Sequence, residues 1–288
     1  MIVDSLILAC YNIGVMKMKN VKIIFVTLLT VLLTFFYACS TTTLESAPSL
    51  PEDSQPAPVP PTQIPDETPV VPETKPETVS YANYIRSTVN GLTVRKSAST
   101  SSAKLGYIDK NDMLHNGGKV GDWYKTFYKE QEAYVHASFV TEVAIKKSSS
   151  EIEKTISVGI KLLGHPYVYG SQRYHWGNGV KNNNFTPGEY DCSALMQYMF
   201  YFGTGDLLDV TSRKQYLQGK EVSSLKRGDL MFFTNAYGQN KVGIEKVRHV
   251  GMYLGDNYIL HTASDYAVIE PISATRWGYY LGAKRIVG

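Results

Sequence analysis

Cysteine is nearly missing from this chain of 288 residues: it occurs only at positions 10, 39 and 192. Beyond residue 39 a single thiol remains, so the C-terminal body forms no internal disulfide and a disulfide-stapled fold is excluded there. Clustered basic charge is lacking too. With 29 Lys and Arg against 26 Asp and Glu, the net charge is +3 and no stripe of the kind a nucleic-acid binder needs is present. No His-Glu-x-x-His motif occurs, and His115, His136, His165 and His175 show no ligand spacing with Cys192, so neither a metal nor a cofactor is expected. Large apolar residues are scarce between Ser40 and Val79, which holds ten of the 13 prolines and seven acids against one lysine. Such a segment cannot bury enough surface to fold. It reads as a stiff tether which, at roughly 3 Å per residue, reaches up to ~100 Å. Most of the net positive charge therefore lies in the body from Tyr81 onward, which suits an anionic polymer as partner.

The N-terminus has what the tether lacks. Lys17, Lys19 and Lys22 precede Ile23 to Ala38, a stretch that is apolar apart from threonines and ends at Cys39. A charged start, a short apolar run and a small residue before Cys read as a secretory signal, with an uncleaved membrane anchor as the other reading of the same residues. The segment resembles the bacterial lipoprotein type. That resemblance implies lipidation of Cys39, a membrane as partner through the lipid, and an extracytoplasmic location in a bacterial cell envelope. Met16 or Met18 makes a better start than Met1, which leaves Cys10 outside the product. Cys192 is then a lone thiol kept in an oxidising compartment, and that flags chemistry.

Residues 80–145 alternate short strand-like pieces with turns: Gly91 to Arg95, Leu105 to Ile108, Gly121 to Lys125, and Ala133 to His136. Several short strands at about ten-residue spacing indicate a small β-barrel. The Gly-Leu-Thr-Val-Arg strand, the Ser-rich loop, Trp123-Tyr124 and Tyr134-Val135 resemble the bacterial SH3 domain. Trp123 and Tyr124 read as barrel core, or as the part of the domain that narrows a neighbour's cleft or holds cell wall.

Residues 150–288 open with a helix. Ser150 and Glu153 read as a capping box, Ile152, Ile156, Ile160 and Leu163 recur at helical spacing, and Gly164 stops it. After a Gly- and Asn-rich loop, an apolar helix runs from Cys192 to a stop at Gly203. The period then drops to two through Gly228 to Phe233, Arg248 to Leu254, Tyr258 to His261 and Ala267 to Ile269. Helices followed by hairpin-linked strands give an α+β fold with an antiparallel sheet against the cysteine helix.

Tyr190-Asp191-Cys192-Ser193 places a thiol at a helix start, where unpaired N–H groups and a neighbouring imidazolium are expected to lower its pKa. Asp191 reads equally as a simple N-cap. On the strands, His249, Gly251 and Tyr253 share one face. A three-residue loop at Gly255-Asp256-Asn257 sets Gly251 opposite His261, making His249 and His261 diagonal neighbours with room between them. A two-residue loop would turn His261 to the other face.

Tyr167-Val168-Tyr169-Gly170, Tyr190-Asp191-Cys192-Ser193, Thr211-Ser212-Arg213-Lys214-Gln215, Arg227 to Phe233, His249 to Leu254 and Leu260-His261-Thr262-Ala263 resemble, in order, the motifs of the NlpC/p60 family of cell-wall cysteine peptidases. The resemblance implies a papain-like fold and hydrolysis of peptidoglycan stem peptides or muropeptides, commonly at the bond after γ-D-glutamate, by a monomer. It assigns Cys192 as nucleophile, His249 as base and His261 as the group that orients it. Asp191, Ser193 and Ser212 match positions that in some members hold a substrate amine; the oxyanion is expected against the Cys192 backbone N–H, with Tyr167 or Tyr169 as a second contact to the substrate there. Val210 stands where the family often has Arg or His, and the loop from Ser171 to Pro187 is longer than usual. Two other classes use the same residues: a non-catalytic cell-wall-binding lipoprotein, and an amidase or transacylase built on the same dyad.

Overall fold

The computed structural model describes residues 78–262 and 265–288. The signal segment with Cys39, the tether up to residue 77 and Ala263 lie outside the described residues.

The first part is built from strands β1 (Tyr81–Ser87), β2 (Leu92–Arg95), β3 (Lys104–Ile108), β4 (Met113–His115), β5 (Lys119–Val120), β6 (Trp123–Tyr128), β7 (Gln131–His136) and β8 (Val140–Lys146). They form two antiparallel sheets, ordered β4-β1-β8 and β3-β2-β7-β6-β5. Alternation decides which side faces inward: Leu92 and Val94 are buried while Thr93 and Arg95 between and beside them are partly exposed. Trp123 and Tyr124 are both buried, and Trp123 also borders a groove with His136 and Phe139. Lys129 and Glu130 at the β6–β7 turn both have positive φ, the geometry of a two-residue hairpin turn that follows strand twist.

The second part comprises α1 (Ser150–Leu162), α2 (Cys192–Thr204), α3 (Ser212–Gln215), β9 (Lys220–Val222), β10 (Leu230–Phe233), β11 (His249–Gly255), β12 (Tyr258–Thr262), β13 (Ala267–Pro271), α4 (Ala274–Gly278) and β14 (Tyr280–Arg285). Its six strands are ordered β13-β12-β11-β10-β14-β9, all antiparallel. The fold is α+β, as expected. Among the described residues no helix is long and apolar enough to cross a membrane.

Two helix ends differ from the sequence reading. Ser149, not Ser150, is the N-cap of α1, its hydroxyl accepting from the Ile152 amide at 3.4 Å. Glu153 still reaches back, but to the Ser148 amide, and its carboxylate is mainly engaged by Arg227. Gly203 does not end α2. The stop is Gly205 at φ 82°, while Gly203 lies inside the helix where a Cβ would come within 2.5 Å of the Thr155 backbone. Glycine there lets α1 and α2 touch. Leu195, Met196, Met199 and Phe200 are fully buried between α1 and the sheet, and each contributes about 1.5–3 kcal/mol on leaving water.

The two parts share one apolar core. The β6–β7 turn caps α1: the amides of Lys129 and Glu130 donate to the carbonyls of Leu163 and Lys161 at 2.8 and 2.7 Å, satisfying groups a helix end leaves unpaired. Arg227 bridges further. It meets Glu153 through two N–H groups at 2.7 and 2.9 Å, donates to the Leu254 carbonyl and to the Tyr84 hydroxyl, and is itself buried. The barrel thereby steadies the start of α1 and the far end of β11.

The β11–β12 register is the expected one, reached by a different turn. Met252 pairs with Leu260 and Tyr253 with Ile259, which sets Gly251 against His261. The loop has only two residues, Asp256 and Asn257, both at positive φ, and a bulge between Tyr253 and Gly255 adds the residue that keeps His261 on the face of His249. A bulge places two residues opposite one, so it reverses the face change a two-residue loop alone would cause.

Candidate active site

Helix α2 begins where strand β11 begins. Val250, Met252 and Leu254 pack with α2 in the main core, and alternation turns His249 and Gly251 to the opposite face. The two faces meet at the end of the sheet, where Cys192 is the first residue of the helix and His249 the first of the strand. There the Val250 and Ser193 amides lie near enough to the Cys192 sulfur to favour its charged form. Cys192 lines one cavity and His249 another, and the two cavities share Tyr167, Asn235 and Arg248. Among the described residues no hydrogen bond joins the thiol to His249 itself.

His249 belongs to a hydrogen-bonded row. Its Nε2 lies 2.8 Å from His261 Nδ1, and His261 Nε2 lies 2.9 Å from Glu270 Oε1, which also accepts from Arg276 Nη2 at 2.8 Å. The carboxylate fixes every proton in the row. Glu270 accepts only, so His261 carries its proton on Nε2 and accepts at Nδ1; His249 therefore donates from Nε2, leaving Nδ1 bare as a base. Gly251 makes room for this, because a Cβ there would meet the His261 Cβ at 2.8 Å. Burial pushes the pKa of His249 well below 6.5, reinforced by His261 and Arg276, and burial also lowers that of His261. Both rings are neutral at rest.

The thiol departs from expectation. Burial, followed by the Asp191 carboxylate beside it, pushes Cys192 up to about 12, and the Val250 amide, Arg173 and the Ser193 amide offset only part of that. The helix start and an imidazolium were expected to lower it. Desolvation outweighs the first, and a neutral His249 cannot supply the second. The thiol is therefore protonated at rest.

Asp191 is the N-cap of α2, its Oδ1 accepting from the Ala194 amide at 2.9 Å and from the Ser193 hydroxyl at 3.0 Å. Its Oδ2 accepts from Arg173 Nη2 at 2.8 Å, and the same nitrogen reaches Ser193 Oγ at 3.0 Å. Arg173 also donates to the carbonyls of Val210 and Ser171. All three side chains are buried, so Asp191 and Ser193 are engaged within the protein. Ser212, Tyr167 and Tyr169 line the Cys192 cavity, with Tyr169 almost fully exposed. Tyr167 stays protonated: burial, then the nearby Cys192 and Asp191, raise it to about 12. Tyr167 lines both cavities.

Sequence reading missed Arg173, Glu270 and Arg276. Glu270 had a legible signal, since period two puts it on the same face as Val268, which pairs with His261. Arg173 had none, because its loop carries no periodicity. Among the described residues no group of His, Cys, Asp and Glu is arranged to hold a metal ion.

Comparison with known proteins follows the same division. Residues 164–285 match the model of the NlpC/P60 family, and residues 90–141 that of the bacterial SH3 domain. A gamma-DL-glutamyl hydrolase of Bacillus subtilis is 27% identical over 177 residues, 59% of this chain and 38% of that protein. The peptidoglycan endopeptidase RipA of Mycolicibacterium smegmatis is 37% identical over 126 residues, 42% of this chain and 23% of that protein. This chain thus spans well under half the length of either. The crystal structure of an NlpC/P60 family protein from Bacillus cereus is 22% identical, covering 72% of this chain and 64% of that one at a TM-score of 0.38.

Proposed function

For a chain that carries an NlpC/P60 family domain behind a bacterial SH3 domain, we propose the activity of a cysteine peptidase acting on peptidoglycan stem peptides at the γ-D-glutamyl bond to the diamino acid. One observation carries this reading: a buried thiol at the first turn of α2 lies beside the Val250 amide, the neighbour of His249, whose ring is hydrogen-bonded in a row with His261 and Glu270.

The steps follow from the groups present. Substrate entering the cavity brings the amide carbonyl to Cys192, and the thiol proton passes to His249 Nδ1 as sulfur attacks. The positive charge that develops on His249 is stabilised through His261 by Glu270, the task a carboxylate performs in serine triads. The oxyanion is received by the Cys192 amide at the helix start and by Tyr167, a reading supported by the presence of both residues in one cavity. His249 then protonates the leaving amine, and water deprotonated by the same ring releases the acyl group.

Attachment through Cys39 and work outside the cytoplasm belong to the same reading, with the tether carrying a monomeric body away from the membrane. The test compares purified protein with Cys192→Ala on peptidoglycan fragments, identifying products by mass. The reading expects new termini at γ-D-glutamate from the parent protein alone. Equal product from both proteins would remove it, and release at another acyl bond would favour an amidase or transacylase.

A further inference from the structure

The lining of the two cavities is one-sided in charge: Arg173, Arg213, Arg248 and Arg276 face a single acid, Asp191. Most of these guanidiniums are spoken for. Arg173 neutralises Asp191, Arg276 is held by Glu270, and Arg213 lies 3.4 Å from Glu245. Arg248 is different. Its nearest carboxylate, the exposed Glu245, stands at 4.0 Å, beyond hydrogen-bond reach and nearer to Arg213; its Nε is buried with no partner, as are those of Arg213 and Arg276.

Arg248 is nonetheless well fixed. Its amide donates to the Phe233 carbonyl at 2.8 Å, which ties it to β10 one residue before His249. Its stem lies against Gly238, where a Cβ would come within 2.8 Å of Cγ, and its guanidinium rests on the Tyr237 ring at 4.9 Å. Among the described residues it is the one cationic side chain that lines both the Cys192 cavity and the His249 cavity.

We infer that Arg248 binds a free carboxylate on the acyl side of the scissile amide, so that the substrate class is a γ-linked glutamyl amide with its α-carboxylate unblocked rather than converted to a carboxamide. The inference rests on the peptidase reading above and adds the charge state of the residue that is attacked. In a γ-linked glutamate the α-carboxylate stands a short aliphatic arm from the reacting carbonyl. Cys192 and Arg248 line the same cavity, so a carbonyl held at Cys192 brings that carboxylate into the cleft that the guanidinium borders. A planar guanidinium pairs with a carboxylate through two parallel N–H bonds, and stacking on an aromatic ring keeps the fork in place. A carboxamide offers one acceptor and turns an NH2 toward the cation, leaving a desolvated N–H unpaired. Asp191 and Ser193, which by resemblance would hold a substrate amine, are instead engaged by Arg173, so no uncommitted acid lines the cleft to compete.

The test uses the full chain with L-alanyl-γ-D-glutamyl-L-lysine, its α-carboxamide counterpart, and the same pair built on diaminopimelate. The parent protein is expected to prefer the free acid by about 10- to 100-fold in kcat/KM. In Arg248→Gln the ratio of acid to amide falls toward one, chiefly through KM, and Arg248→Lys recovers part of it. A merely structural role would lower both substrates alike and leave the ratio in place. An acid-to-amide ratio near or below one in the parent protein, or an unchanged ratio in Arg248→Gln, would overturn the inference alone. Failure to cleave any of the four would remove the peptidase reading and this inference with it.

Discussion

His261 Nε2 lies 2.9 Å from Glu270 Oε1, on the side of the ring away from His249. This contact sets the direction of every proton in the row, because a carboxylate cannot donate and each ring must therefore keep Nδ1 as its acceptor.

Replacing Glu270 with Gln should invert that order. A carboxamide can present its NH2 to His261, allowing the proton to sit on Nδ1 and closing the base position on His249. Cleavage is expected to fall by about 100-fold or more in kcat with the fold retained. Steady-state kinetics with a thermal melt as control would check it, and activity within threefold of the parent would contradict the assigned orientation.

The raised thiol pKa makes Cys192 slow to alkylate in the protein at rest. With the pKa pushed up to about 12 by burial and Asp191, iodoacetamide should react sluggishly at pH 7 and accelerate only as the solution becomes strongly alkaline. Rapid labelling that levels off near pH 6 would instead indicate a preformed thiolate and imidazolium.

Stability should fall in acid through the two histidines. Their folded pKa values lie below the usual 6.5, so between the folded and unfolded values the unfolded chain binds more protons. The full contribution is present above about pH 6.5 and is lost as pH drops toward the folded values. Urea midpoints at pH 7.5 and 5 should differ more for the parent protein than for a His249→Gln, His261→Gln double variant. An equal drop in both would assign the acid sensitivity to other groups.

Arg173 and Asp191 form a buried pair, with side chains 10% and 9% exposed. Arg173→Leu leaves the carboxylate unpaired beside the thiol and should cost about 3–5 kcal/mol. Adding Asp191→Asn should return much of that loss. Chemical denaturation of the two singles and the double forms the cycle, and strictly additive losses would show that the pair is not coupled.

Much of this site is legible in the chain itself. Cys192 after Asp191 announces a helix start bearing a thiol, and His249, Gly251 and His261 follow from period two once the register is known. The register itself depends on a bulge between Tyr253 and Gly255 as well as on the turn, and turn length alone does not reveal a bulge. Local signals also place caps and stops only to within a residue or two, as Ser149 and Gly205 illustrate.

What the sequence by itself determined are the properties set by neighbours along the chain: the helices, the alternating strands, the residue types that can attack, accept a proton or cap a helix. Only the tertiary structure decided the charge state of the thiol, the proton order of the imidazoles and the pairing of Asp191. Those depend on how much water is excluded and on which distant carboxylate or guanidinium arrives, as Glu270 does from the next hairpin and Arg173 from an unpatterned loop. Desolvation and long-range pairing are sums over space, and no local stretch of residues contains them.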